Sequence, residues 1–327
     1  MTAAGADPAL PAENRLAHFP VSFFAVAMGM FGLVLALHAA ERSFGLIPVL
    51  SRGVLLVTVA LLLAISVLYL LKTWRHPAAV IAEWHHPVRI AFFPAIAIAF
   101  LLLATALMPI HVGLARAVWV VAAAAQALFS LAVISSWIGH RPFATPQLSP
   151  AWFIPAVGNV VVPVAGVPLG YVDISWMFFS AGLVFWVVLL TLVMNRLMFH
   201  DPLPGRMVPT LMILVAPPAV GYLAWGQLTG AAGPFGQILL SLGYVFALLV
   251  LAQARRFARI PFALSWWALS FPVAALSIAS LAHAGAGGGD AYRLIGAGLL
   301  ALLVVLILIL LGRTALGIAR HEICVPE

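Results

Sequence analysis

The chain has 327 residues, of which 65% are hydrophobic and only 8% charged, and its mean hydropathy is +1.15. A water-soluble domain carries about 25% charged residues, so this composition excludes a fold whose surface meets mainly water. The formal net charge of +7 would fit nucleic-acid binding in a soluble protein, but the basic residues lie between long apolar runs. That is the pattern of loops on the inner side of a membrane, so the predicted surroundings are a lipid bilayer, with no nucleic-acid partner.

Residues 1–17 are polar and rich in Pro and Ala, with Asp7, Glu13 and Arg15, and lack the apolar core of a cleaved signal. They read as a cytoplasmic N-terminal tail. Apolar runs then follow at 19–40, 54–71, 90–108, 117–138, 152–171, 174–194, 207–227, 235–254, 261–282 and 294–311. Each is near the roughly 20 residues a transmembrane helix needs. The predicted fold class is an all-α polytopic membrane protein, with ten transmembrane helices as five hairpins within 18–313 and a cytoplasmic tail at 314–327. The only cysteine, Cys324, excludes an intrachain disulfide.

Twelve Lys and Arg residues fall on the side of the N-terminus: Arg15, Lys72, Arg75, Arg89, Arg141, Arg196, Arg206, Arg255, Arg256, Arg259, Arg313 and Arg320. Arg42, Arg52, Arg116 and Arg293 fall on the other. The excess places both termini of this multi-pass protein in the cytoplasm. His76, Glu83, His85 and His86 cluster in the loop before span 3, but their spacing matches no closed zinc motif. The flanking Trp74 and Trp84 read as an interfacial belt. No metal site, cofactor or catalytic constellation is predicted, and an enzymatic or scaffold role has no residues to carry it. The connectors 230–234 and 285–289 are small, uncharged and rich in glycine.

Proline recurs within or at the entry of every odd-numbered span: Pro20, Pro94, Pro155 with Pro163, Pro217 with Pro218, and Pro272. Of the even spans only the eighth approaches one, at Pro234. A repeat of helical hairpins produces this pattern, with odd helices in one environment and even helices in another. Broken helices of such repeats commonly line a transport pathway.

No Asp, Glu, Lys, Arg or His lies mid-span; His38, His111, His140, His283 and Asp173 fall near span ends. A coupled transporter ordinarily needs an intramembrane ionisable group. A passive path with weak anion interaction is therefore the first expectation, since conduction requires binding weak enough for release. Kinks at Pro94, Pro155, Pro217 and Pro272 would supply backbone dipoles. Phe23, Phe24, Phe92, Phe93, Phe153 and Phe271 lie on odd spans, where a phenylalanine ordinarily packs against lipid or another helix. Phe24, Phe92, Phe93 and Phe153 are nonetheless taken as candidate lining residues. Phe271, directly before Pro272, is the candidate gate, because a hydrophobic constriction closes a pore by dewetting. Asn159 reads as a helix-packing hydrogen bond. The rival expectation is a gradient- or proton-driven carrier for a small dicarboxylate or oxyanion.

The stretch Glu83-Trp-His-His-Pro-Val-Arg89 with Phe92-Phe93, then Ala156-Val-Gly-Asn159, Ala216-Pro217, and above all Ser265-Trp-Trp-Ala-Leu-Ser270-Phe271-Pro272 resemble one family. It is the tellurite-resistance/dicarboxylate transporter family, which includes the plant slow anion channels, and the likeness covers all ten spans. The resemblance implies five hairpins around a central pore lined by odd helices, a phenylalanine at position 271 occluding it, and a homotrimer with one pore per protomer. It also implies small inorganic or organic anions as substrates, whether chloride and nitrate or sulfite, malate and tellurite-related species. Ala27, beside Met28, stands where some bacterial relatives have a proline, which puts a kink in span 1 in question. The long regulatory tails of the plant channels have no counterpart in this sequence, so kinase gating through them is not expected.

Overall fold

A computed structural model describes residues 15–139, 143–144, 147–257 and 260–324. Most of the N-terminal tail, His140, Arg141, Arg259 and the last three residues lie outside the described residues. Among the described residues nine helices are long and apolar enough to cross a membrane. They are Val21–Ser43, Val49–Arg75, Arg89–Leu107, Val112–Ile138, Val172–Phe199, Gly205–Thr229, Gly233–Ala252, Leu264–Gly288 and Asp290–Ala319. Between the fourth and fifth of these lies Pro150–Gly166, shorter and broken into alternating 3-10 and α segments. It occupies the place expected for span 5, so the ten expected spans are all accounted for, one of them short. Spans 2, 6 and 10 run four, five and eight residues past their expected C-terminal ends, because the polar residues there continue the helix.

One element departs from expectation. The supposed loop between spans 2 and 3 contains a helix, Pro77–His85, started by a proline at its first position, where the missing N–H would be unpaired anyway.

The spans form two concentric rings. Span 1 packs on span 3, span 3 on span 5, span 5 on span 7, span 7 on span 9, and span 9 back on span 1. Span 2 sits outside spans 1 and 3, span 4 outside 3 and 5, span 6 outside 5 and 7, span 8 outside 7 and 9, and span 10 outside 9 and 1. Burial follows this order. In spans 1, 3, 7 and 9 the most apolar stretch is 61–78% buried, against 22–33% in the even spans. The even helices turn Leu56, Val121, Leu128, Val184, Leu248 and Leu308 outward. Such surfaces belong in hydrocarbon, where every backbone group must be bonded within the segment. The chain is a multi-pass membrane protein.

Proline explains the different backbones of the two rings. A proline lacks the N–H that would bond the carbonyl four residues back, and its ring crowds that carbonyl. Here the residue before the proline takes the orphaned carbonyl instead, through a tighter 3-10 bond. The N–H groups of Phe93, Val162 and Ala216 bond Ile90, Asn159 and Ile213, one residue ahead of Pro94, Pro163 and Pro217. Spans 3, 5, 7 and 9 each carry such 3-10 segments before a proline, as in Gly205–Val215 and Leu264–Leu269. Span 1, with Ala27 and no proline inside, has only Val21–Phe23 in 3-10 form and then an unbroken helix, Phe24–Ser43.

Candidate functional site

Two cavities lie at opposite ends of the inner ring. The first, of about 1030 Å³, is walled by the starts of the odd spans, including Ser22, Phe92, Met207 and Ser265, and by the C-terminal residues Glu322 to Cys324. The second, of about 830 Å³, is walled by their far ends, including Leu35, Thr105, Val164, Gln227 and Ala282. Among the described residues only Phe271 lines both.

Close approach of spans 1 and 9 positions this ring. A Cβ at Gly29 would stand 2.1 Å from Ser270 Oγ, and one at Gly32 would stand 2.8 Å from Ala274 Cβ and 3.5 Å from Phe271 Cδ2. Glycine at these sites lets the backbones nearly touch. Behind Phe271, Ser270 Oγ donates to Trp267 O at 2.6 Å, and Trp267 Nε1 donates to Thr314 Oγ1 of span 10 at 2.9 Å. Phe271 therefore stands on the first turn of the α-helical part of span 9, between a pinned 3-10 turn and Pro272.

Much of the lining is apolar: Met28, Ala95, Ile213 and Ala216 in the first cavity, Leu35, Val161, Val220 and Ala275 in the second. Charge is confined to the mouths. The first cavity holds Lys72, Arg89 and Arg206 against Glu83 and Glu322. The second holds Arg42 and His38, with no carboxylate among its described lining residues.

A buried polar cluster lies in the wall of the first cavity. Glu83, on the Pro77–His85 helix and 2% exposed, accepts from Lys72 Nζ at 2.7 Å and Tyr69 Oη at 3.0 Å through Oε2, and from Val21 N at 3.1 Å through Oε1. Lys72, 1% exposed, also donates to Phe19 O at 2.9 Å. This network joins the end of span 2, the linker helix and the first turn of span 1. Sequence reasoning left Glu83 in a loop. The available signal was a carboxylate on an apolar nine-residue stretch beginning with proline, a short sequence distance from Lys72. At the same mouth Arg15 Nη2 donates to Ile318 O at 3.1 Å and Ile323 O at 3.3 Å, tying the two ends of the described chain together. Burial pushes the Cys324 thiol up from its ordinary pKa, against the opposing pull of Arg15 and Lys72.

The other candidate residues divide into two groups. Phe92, Phe271 and Pro272 line the first cavity. Phe24, Phe93 and Phe153 are buried and reach neither cavity. Phe24 meets Tyr69 edge-on at 5.9 Å, and Phe93 meets Trp84 at 4.9 Å, Tyr69 at 6.5 Å and Phe129 at 6.4 Å, so both rings face outer-ring partners. Pro94, Pro155 and Pro217 are buried and break the backbone without lining a cavity. Asn159 Oδ1 accepts from Ser130 Oγ at 3.1 Å and Gln126 Nε2 at 3.4 Å, bonding span 5 to span 4.

Known proteins are similar to this chain in sequence. A family model described as a voltage-dependent anion channel matches residues 18–315. The chain is 30% identical over 286 residues to the S-type anion channel SLAH3 of Arabidopsis thaliana, covering 84% of this chain and 45% of that protein. It is 24% identical over 296 residues to the guard cell S-type anion channel SLAC1 of the same plant, covering 86% of this chain and 53% of that one. Against a tellurite resistance protein TehA homolog of Haemophilus influenzae identity is 24% over 260 residues, 79% of each chain. The chain thus spans about half the length of these plant relatives and most of the bacterial one. By its match over nearly all ten spans, the chain belongs to the SLAC1 family of voltage-dependent anion channels.

Proposed function

We propose that the chain is a passive channel or exporter for small monovalent anions or oxyanions, with a path along the axis of the inner ring that Phe271 occludes. The observation that supports this reading is that one half-buried aromatic ring lines both of two cavities at opposite ends of five packed helices. The cavities that share that ring are lined by apolar residues such as Met28, Ala216, Val161 and Ala275, and we read them with Phe271 as an apolar collar of the kind that closes by dewetting. The basic excess at both mouths raises the local concentration of anions. The 3-10 turns before Pro94, Pro163 and Pro217 consume the carbonyls that those prolines orphan, which removes partial negative charge from the kinks.

The same reading places both termini in the cytoplasm, the chain in a bacterial inner membrane, and three copies in a homotrimer with one path each. The apolar collar offers no carboxylate for proton coupling, which weighs against the carrier alternative. The test is Phe271→Ala in planar bilayers or oocytes with surface amount measured. Anion current per molecule rises at least about tenfold, the change expected when a plug worth more than about 1.4 kcal/mol is removed. Unchanged current from a well-inserted variant overturns the gate.

A further inference from the structure

The Lys72 cluster has the composition of an anion site that is already filled. Its donors are the Lys72 ammonium, the Tyr69 hydroxyl and the Val21 amide, and all three converge on one carboxylate, that of Glu83. The lysine and carboxylate side chains are 2% and 3% exposed. The ammonium is further fixed by Phe19 O and lies 5.5 Å from the centre of the Tyr69 ring. Val21, Lys72 and Glu83 all border the first cavity, so an ion in that cavity has a short route to the same donors.

We infer that Lys72, Tyr69 and the Val21 amide form a binding site for a small planar carboxylate or oxyanion, and that Glu83 occupies it as a tethered competitor. The consequence for flux rests on the anion-conduction reading above. A buried, directional cation at the mouth of a path would hold a passing anion too long, and conduction needs weak binding. Glu83 keeps Lys72 from doing so and at the same time ties the linker helix to the first turn of span 1. Glu83 is thus a specificity-determining residue that acts by keeping a strong site closed.

The binding claim can be tested without transport. Glu83→Ala removes the atoms of one acetate ion and leaves the donors in place. The full chain is purified in detergent, and thermal unfolding is followed while sodium acetate replaces sodium gluconate at constant ionic strength. The wild type shows no saturable response. The midpoint of E83A lies below that of the wild type and climbs back saturably with acetate. In K72M/E83A the climb is absent. A flat acetate response in E83A, or an equal response in K72M/E83A, overturns the site. If E83A does not fold in gluconate, its recovery as monodisperse protein in acetate becomes the assay: recovery supports the site and failure in both salts overturns it. Because these readouts are of binding and stability, they separate from any failure of Phe271→Ala to change current.

Discussion

The approach of span 1 to span 9 can be tested at a single position. In Gly29→Ala the new methyl would stand 2.1 Å from Ser270 Oγ, 2.9 Å from Ser270 Cβ and 3.0 Å from Trp267 Cε3. None of these atoms yields easily. Ser270 is fully buried and bonded to Trp267 O, while Trp267 is 1% exposed and held by Thr314. The two helices must therefore separate by more than an ångström. Overpacking of this kind costs about 1–3 kcal/mol. With three fixed neighbours the cost lies at the upper end of that range, and since alanine gains about 0.5–1 kcal/mol over glycine inside a helix, the net destabilisation is about 2 kcal/mol. Removing the obstructing group gives the decisive comparison. Ser270→Gly in the G29A background opens the space the methyl needs, so the double variant is more stable than additivity predicts, with a coupling of about 1–2 kcal/mol. Reversible denaturant unfolding in mixed micelles measures all four proteins. A G29A protein as stable as the wild type, or a cycle with no coupling, refutes the claim that glycine at 29 sets the separation of these helices.

Two further outcomes follow from the geometry. Asn159→Ala lowers stability by about 0.6 kcal/mol, the mean for an interhelical hydrogen bond in a membrane, because Ser130 Oγ keeps its bond to Pro155 O at 2.8 Å; a loss above about 2 kcal/mol in the same unfolding assay would mean that Asn159 anchors more than this contact. Cys324 reacts slowly with maleimide at neutral pH, and the rate keeps rising with pH past the ordinary thiol range, since its raised pKa delays the thiolate; in right-side-out cells an impermeant maleimide leaves it unlabelled if the tail is cytoplasmic, and labelling from outside overturns the assigned orientation.

Much of the fold could be read because the bilayer imposes a simple rule. Every span must be an apolar stretch of fixed length, so composition alone located nine of the long helices, and proline marked which of them would be inner. The fifth was harder, since Pro155 and Pro163 divide it into pieces no longer than a turn or two. Its position was legible from the apolar run, but its broken backbone follows from two prolines acting in one short segment. The aromatic residues were legible only as a set. Phe271 and Phe92 border the cavities while Phe24, Phe93 and Phe153 do not, and that choice depends on helix rotation, which a nearly uniform apolar sequence leaves undefined. Helices that are apolar all round carry no stripe to show which face turns inward.

Charge was legible along the chain but not in space. The count of basic residues separates the two sides of the membrane, yet it treats Lys72 and Arg75 alike. Arg75 is exposed at the surface, while Lys72, less than one turn away, points inward and is buried against Glu83. What separates them is the direction of the side chain on the last turn of span 2 and the presence of a partner. A lone buried ammonium would be driven out of so apolar a wall, since desolvation outweighs any benefit without a counter-charge. The Pro77–His85 helix brings that counter-charge from outside the membrane segments, and the Tyr69 hydroxyl and Val21 amide, donating to the Glu83 carboxylate beside Lys72, complete the solvation that water no longer supplies. The same physics explains why the collar at Phe271 is free of ionisable groups. No neighbouring element brings a partner to that depth, so any charge placed there would stand alone. The charged residues that line the two cavities therefore gather where connecting segments can reach them, at the two mouths, while the polar groups buried within the spans, such as Asn159 and Ser270, are uncharged and bonded to neighbouring groups.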